Sequence, residues 1–368
     1  MTPPPIQQGY RPRLRRAYVL LLAGLLLIAG ALLWDWHAHR RDYIASHPAP
    51  YQGTAIVGNG RLLAALDGRG TVISLFWPHP GRHSFFFETH PTTPRVGRGT
   101  ETTGLFLGIQ QGEGRITWLR DTRILSQRYL TDSNRLVTRF ALPWGRRVTV
   151  TDWVQPDRDV FYRRVTADPP FGRGTRLVAC QSLDFARPRT GPDIKVADGR
   201  LIHWDTMLDR VMVLAGIAPL QQAHIADAAS LPTLSRGRFA RETTVLGPEI
   251  SAARWPLTRE RTLVYAVAER RKAATALAAD AVRTPIEAGR ATDRYWRAWL
   301  GQARLPKMPD ADRRLYARSL LVLKLLQDRE TGALAAGARR NWCYCWPRDS
   351  VYAAVAFDLA GQHAEAEK

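Results

Sequence analysis

The chain has 368 residues, 45% of them hydrophobic with twelve tryptophans, and a formal charge of +20. That length and composition exclude a disordered chain and point to two folded units plus an anchor. The charge does not mark a nucleic-acid binder, because it is nearly all arginine scattered singly rather than gathered into a stripe, so no nucleic-acid partner is expected.

At the N-terminus RPRLRR, Arg11 to Arg16, precedes AYVLLLAGLLLIAGALLW, Ala17 to Trp34, which holds no charge. As a helix that run would reach about 27 Å, close to a bilayer's hydrocarbon core. Trp34 and Trp36 suit the interface, and the arginines weigh more heavily upstream than at Arg40 and Arg41. The expectation is a basic cytoplasmic tail over 1–16, a transmembrane signal-anchor over 17–36, and a body exported from the inner or plasma membrane. A signal peptide cut near Ala29-Gly30-Ala31 is the rival reading, and a buried soluble helix is the third. The apolar run continues past the cut site, which favours the anchor. Only Cys180, Cys343 and Cys345 are present. Cys343 and Cys345 stand too close for an easy bridge and supply half a tetrahedral metal site, so neither metal nor cofactor is expected.

A polar connector leads into strand-like runs. TAIVGNGRLLAALD (Thr54 to Asp67) and TVISLFWP (Thr71 to Pro78) are separated by DGRG as a turn. GLFLGI, RITWL, RLVTRFAL, RVTVTDWV, VFYRRVT, TRLVACQSL, RVMVLAGIA and TLVYAVA follow, many alternating apolar and polar residues between Gly, Pro, Asp or Asn. Ten or so strands without intervening helices predict an antiparallel β-sandwich over 52–268. The period then changes. ERRKAATALAADAV and IEAGRATDRYWRAWLGQA predict a helical linker over 269–309, broken at Pro306 and Pro309. Asp310 to Asp328 reads as one strong helix with Asp310 as N-cap and leucines on more than one face. A last helix begins near Asp349 or Ser350, with Val351, Ala354, Val355 and Leu359 as its apolar stripe.

Familiar chemical signatures are missing: no GxxxxGK, HExxH or GxSxG occurs, and GNGRLL lacks the third glycine of a dinucleotide loop. What stands out is NWCYCWPRDS, Asn341 to Ser350. Sugars present apolar C–H faces and a rim of hydroxyls, and a site for them needs aromatic walls and planar charged groups. Trp342, Tyr344 and Trp346 are candidate walls. Arg348 offers a rigid donor fork, and Asp349 accepts from hydroxyl pairs. Pro347 biases Trp346 away from helical geometry, which places the Arg–Asp pair in a turn just ahead of a helix. Read blandly, the same residues make an ordinary helix entry, with Asp349 as N-cap, Arg348 a surface charge and the aromatics core filler.

The WPRD stretch, preceded by NW and a tyrosine, resembles glycoside hydrolase family 15, the glucoamylase family with its glucodextranases and trehalase-like members. GNGRLLAALDGRGTVISLFWPHPGRHS (Gly58 to Ser84), TDWVQPDRDVFYRRV (Thr151 to Val165) and RSLLVLKLLQDRETGALAAG (Arg318 to Gly337) are similar to it in the same order. The resemblance implies a super-β-sandwich, a helical linker, and over 310–368 the first two helices of an incomplete (α/α)6 barrel. It also implies that Arg348 and Asp349 bind the non-reducing-end glucose of an α-glucan or α-glucoside, with Trp346 close by. The family's reaction is inverting exo-hydrolysis by two carboxyl groups, roughly 6.5–9.5 Å apart. Its catalytic glutamates lie well beyond the Arg–Asp motif. Glu330, Glu365 and Glu367 match neither, so no catalytic residue is expected in this chain and no turnover by it alone. The alternative is a non-catalytic, membrane-anchored carbohydrate-binding or assembly module.

Overall fold

The computed structural model describes residues 24, 27–31, 55–81, 85, 104–183, 193–205, 209–240, 249–338 and 343–368. Residues Met1–Gln52 form one unit and Gly53–Lys368 another. The second is mostly antiparallel β, in two eight-stranded sheets with a few helices.

The first sheet runs β1 (Ala55–Gly58), β2 (Leu63–Leu66), β3 (Val72–Phe76), β4 (Gly104–Gln111), β10 (Thr175–Ser182), β15 (Glu249–Pro256), β14 (Gln222–Asp227), with β5 (Ile116–Trp118) paired to β4. The second runs β11 (Asp193–Ala197), β12 (Arg200–Asp205), β13 (Arg210–Gly216), β16 (Glu260–Ala268), β9 (Val160–Asp168), β8 (Arg147–Val154), β7 (Leu136–Ala141), β6 (Arg123–Tyr129). Alternation along β8 sends Val148 and Val150 inward to meet Leu105, Leu107 and Leu177 of the other sheet in one apolar cluster.

Two polar devices tie the sheets together. The Tyr129 hydroxyl accepts from the Ile56 amide at 2.7 Å and donates to the Ile56 carbonyl at 2.8 Å. Arg163, fully buried, pairs with Asp152 at 2.8 Å and donates to the carbonyls of Leu105 and Gly70 at 3.1 and 2.7 Å. Burial pushes the Asp152 carboxyl up, against the opposing pull of Arg163.

Helices cover both outer faces. On the second sheet lies α2 (Arg271–Ala281), whose Ala274, Ala278 and Ala281 recur at helical spacing and pack with Tyr162, Val213 and Val264. α1 (Leu231–Ser235) is a single turn after β14. α3 (Pro285–Gly301) and α4 (Asp310–Leu326) bring Trp296, Trp299, Leu320, Leu321 and Leu325 to Ile56, Leu63, Ala65 and Phe76. Strands β1 to β3 are thus buried on both faces, which is why LLAAL reads as an unbroken apolar run. α5 (Pro347–Leu359) and α6 (His363–Ala366) complete the chain, with Phe357 set edge-on to Trp299 at 6.3 Å between ring centroids.

The expected fold class is corrected in two respects. Of the span expected over 17–36, residues 24 and 27–31 are described and helical, and the rest lies outside the described residues. Among the described residues no helix is long and apolar enough to cross a membrane. The membrane-anchored location and the membrane partner inferred from that segment are withdrawn with it. Secondly, the described part is mostly antiparallel β, two eight-stranded sheets with a few helices, in place of a sandwich followed by the start of a helical barrel. Leu320 and Leu325 of α4 and Phe357 of α5 share one apolar cluster with Phe76 of the first sheet.

Local corrections are instructive. TAIVGNGRLLAALD is a hairpin rather than one strand, because the Asn59 side-chain oxygen accepts from the amides of Arg61 and Leu62 and closes a turn. On α4, Pro309 rather than Asp310 is the N-cap. On α5 the buried residues are Ala353, Phe357 and the following Ala360, while Val351, Val355 and Leu359 are exposed. The helix is apolar on most sides, and of its two large aromatics Phe357 is buried while Tyr352 is exposed.

Close packing also gives a stability test. A β-carbon on Gly108 would stand 2.5 Å from Ile116 Cγ2 and 2.6 Å from Trp118, its partner on the neighbouring strand β5. Gly108→Ala is expected to destabilise the protein by about 1–3 kcal/mol through overpacking. Denaturant titration checks this, and a loss below a few tenths would show that β5 gives way freely.

Candidate functional site

The candidate segment leaves the end of α4 through residues 327–338. Asp328 folds the first part, its Oδ1 accepting from the amides of Glu330 and Thr331 at 3.0 and 2.6 Å and from the Thr331 hydroxyl at 2.8 Å. Isolated bridges then join Gln327 to Leu334 and Ala335 to Cys345. The Ala336 amide donates to the Tyr344 carbonyl at 3.0 Å. The returning strand-like stretch Cys343–Cys345 is thereby held against 335–336.

Trp346 is the extended N-cap of α5, Pro347 its first residue, and Arg348 and Asp349 lie in its first turn. The helix starts earlier than expected because proline's fixed φ suits the first helical position and its missing N–H removes nothing there. Asp349 is therefore within the helix and not its cap. A carboxylate in the first turn is favoured by the helix dipole. Tyr344 is 57% exposed and Trp346 47% exposed. Arg348 is exposed and Asp349 half-buried. Among the described residues neither the Arg348 nor the Asp349 side chain makes a hydrogen bond or ion pair. Trp342, the third candidate wall, lies outside the described residues.

Successive helical residues point about 100° apart, so Arg348 and Asp349 share a turn but not a direction. A cavity of about 290 Å³ lies beside α5, lined by Gln327, Thr331, Leu334, Cys345, Ser350 and Phe357 among others. Arg348 and Asp349 do not line it. Cys345 Sγ and Ser350 Oγ meet there at 3.2 Å. No sequence signal marked this cavity, since its walls come from three separated segments.

The nearby carboxylates are engaged. Glu365 accepts from Lys324 at 2.6 Å, Lys368 at 3.1 Å and the Trp299 indole at 3.2 Å. Burial raises the Glu365 pKa, but the bonds from Lys324, Lys368 and Trp299 outweigh it and hold the carboxyl below its ordinary value. Burial also pulls the Lys324 ammonium down, against the raising effect of Glu365. Glu330 pairs with Arg61. Among the described residues no group of three or more His, Cys, Asp or Glu is gathered to hold a metal ion.

No protein-family model matches the sequence, and no curated protein matches it either. Among solved structures, a bacterial glucoamylase complexed with acarbose shares the fold with a TM-score of 0.68 at 14% identity, over 87% of this chain and 49% of that one. The chain thus spans about half the length of that glucoamylase. A family GH92 α-mannosidase from Bacteroides thetaiotaomicron aligns with a TM-score of 0.44 at 12% identity, over 77% of this chain and 40% of that one. The glucoamylase match shows a glycoside hydrolase-like fold, consistent with the resemblance read from the sequence.

Proposed function

We propose that this chain binds the non-reducing end of an α-glucoside through Arg348 and Asp349, as part of a glucoamylase-type exo-acting, inverting α-glucosidase. The observation that carries this reading is the unpartnered state of both side chains beside two exposed aromatics. A guanidinium fork and a carboxylate without intramolecular partners are what a hydroxyl rim requires: the fork donates to sugar oxygens, and the carboxylate accepts from sugar hydroxyls. Trp346 and Tyr344 supply flat apolar surfaces for the C–H face of a pyranose. The acarbose bound by the glucoamylase of like fold supports an α-glucoside as the ligand class.

Inverting hydrolysis needs a general acid and a general base on opposite sides of the sugar. Glu330 and Glu365, the carboxylates flanking the segment, are already committed to Arg61 and Lys324. Binding without turnover is the activity we assign to the chain by itself. Calorimetric titration with maltose, isomaltose, trehalose and acarbose tests it. Arg348→Ala and Asp349→Asn are each expected to weaken binding about tenfold or more, the worth of a charge-assisted hydrogen bond. Equal affinity in both variants would remove the assignment, and appreciable hydrolysis by the unaltered chain would refute its lack of turnover.

A further inference from the structure

Three of the stretches singled out in the sequence meet at a point that the sugar site does not use. Asp159, in the loop between β8 and β9, is their hub. Its Oδ2 accepts from the Trp77 indole at 2.8 Å and from Arg61 Nε at 3.2 Å, and its Oδ1 accepts from Asn59 Nδ2 at 3.2 Å. Asn59 Nδ2 also reaches the carbonyls of Gln155 and Arg158, each at 3.1 Å. The β1–β2 turn, the exit of β3 and the β8–β9 loop are thereby locked to one another.

This locked end of the sandwich grips the segment that leads to the sugar site. Arg61, held by Asp159, pairs with Glu330. The Arg329 amide donates to the Gly60 carbonyl at 3.0 Å, and its guanidinium to the Pro156 carbonyl at 3.1 Å. From residues 327–331 the restraint passes through the Gln327–Leu334 and Ala335–Cys345 bridges to Tyr344 and the start of α5. A second contact arrives from the exit of β3. Gly81 takes φ +92°, and a β-carbon there would stand 2.8 Å from the Cys343 carbonyl oxygen. Only glycine lets the two backbones approach so closely.

We infer that Asp159 is a positioning residue for the Tyr344–Asp349 segment, acting through Arg61 and Glu330 without touching ligand. Its functional meaning rests on the sugar-binding reading above. A site whose aromatic wall and guanidinium fork sit on a loop and a helix's first turn gains affinity only when a supporting shell fixes them.

The test compares Asp159→Asn, Trp77→Phe and Glu330→Gln in the full chain. Backbone hydrogen exchange over 343–350 and maltose affinity are measured beside the unfolding free energy. Glu330 is largely exposed, at 67% of its side chain, so Glu330→Gln keeps the test open if Asp159→Asn does not fold. Exchange over 343–350 about tenfold faster in Asp159→Asn, with β8 and β9 amides unchanged, is the expected result. Unchanged exchange there in all three variants, or faster exchange spread evenly over the chain, would overturn the inference. Failure of the unaltered protein to bind any α-glucoside would instead sink the sugar reading, and the exchange data would still decide the positioning role.

Discussion

Arg163→Met is expected to lower the unfolding free energy by about 3–5 kcal/mol, the usual loss when one member of a buried ion pair is removed. The substitution keeps the volume and the apolar stem, so packing contributes little to the difference. It leaves the Asp152 carboxylate buried without its cation and orphans the Leu105 and Gly70 carbonyls that Arg163 serves across the sheets. Asp152 Oδ2 already lacks a partner, so no second donor stands ready to compensate. Combining Arg163→Met with Asp152→Leu should recover part of the loss, because an apolar pair removes the stranded charge but not the two stranded carbonyls. Guanidinium denaturation of the three variants measures this. A single-variant loss below about 1 kcal/mol would mean that water enters the site and that the pair is not a true interior element.

Acidification is the second large effect. His203 is completely buried, with Nε2 2.7 Å from the Ser251 hydroxyl, and burial brings its pKa down to about 3. His224 is buried beside the Ser230 hydroxyl at 2.9 Å, and burial brings it down to about 4. Both rings therefore stay neutral in the folded protein where the unfolded chain, with histidine near 6.5, takes up protons. The unfolded state binds more protons below that value, so stability rises with pH and is lost on acidification. The contribution is complete above pH 6.5 and drains as pH falls towards 4 and then 3. Two histidines together set a slope of up to about 2.7 kcal/mol per pH unit in the middle of that window. Unfolding free energies measured from pH 7 to pH 4.5, above the ordinary carboxylate range, check it. His203→Gln with His224→Gln should flatten the slope, and an unchanged slope in that double variant would show that other groups carry it.

Much of the fold was legible because period and punctuation agreed. RVTVTDWV coincides with β8, and the prolines at 306 and 309 separate α3 from α4 as read. The strand runs read from the sequence pass over β6, β11, β12, β14 and β15. β6, RILSQRY, is a half-exposed edge, β11 is a five-residue strand at the opposite edge, and β15 spends positions on glutamate, serine and arginine. The inward face of α5 was not legible for the opposite reason, since VYAAVAFDLA offers apolar residues in every direction. At the site, composition pointed to Arg348 and Asp349, but their helical setting depended on recognising Pro347 as a first helical residue rather than as a breaker. The hub at Asp159 could not have been assembled from the sequence. Its donors are 82 to 100 residues away along the chain, and only the sandwich brings them together.

Strands β1 to β3 carry a further consequence. Ile56, Leu63, Ala65 and Phe76 face away from the sandwich interior and are covered by α3 and α4. A cut after the last strand at Ala268 follows the change in secondary structure but not the change in cooperativity. It would strip the lid from an apolar surface and leave an edge of the sheet prone to self-association. The smallest fragment that keeps this apolar face covered therefore includes the helices. The sandwich is a domain in outline only, since the outer face of β1 to β3 is closed by α3 and α4.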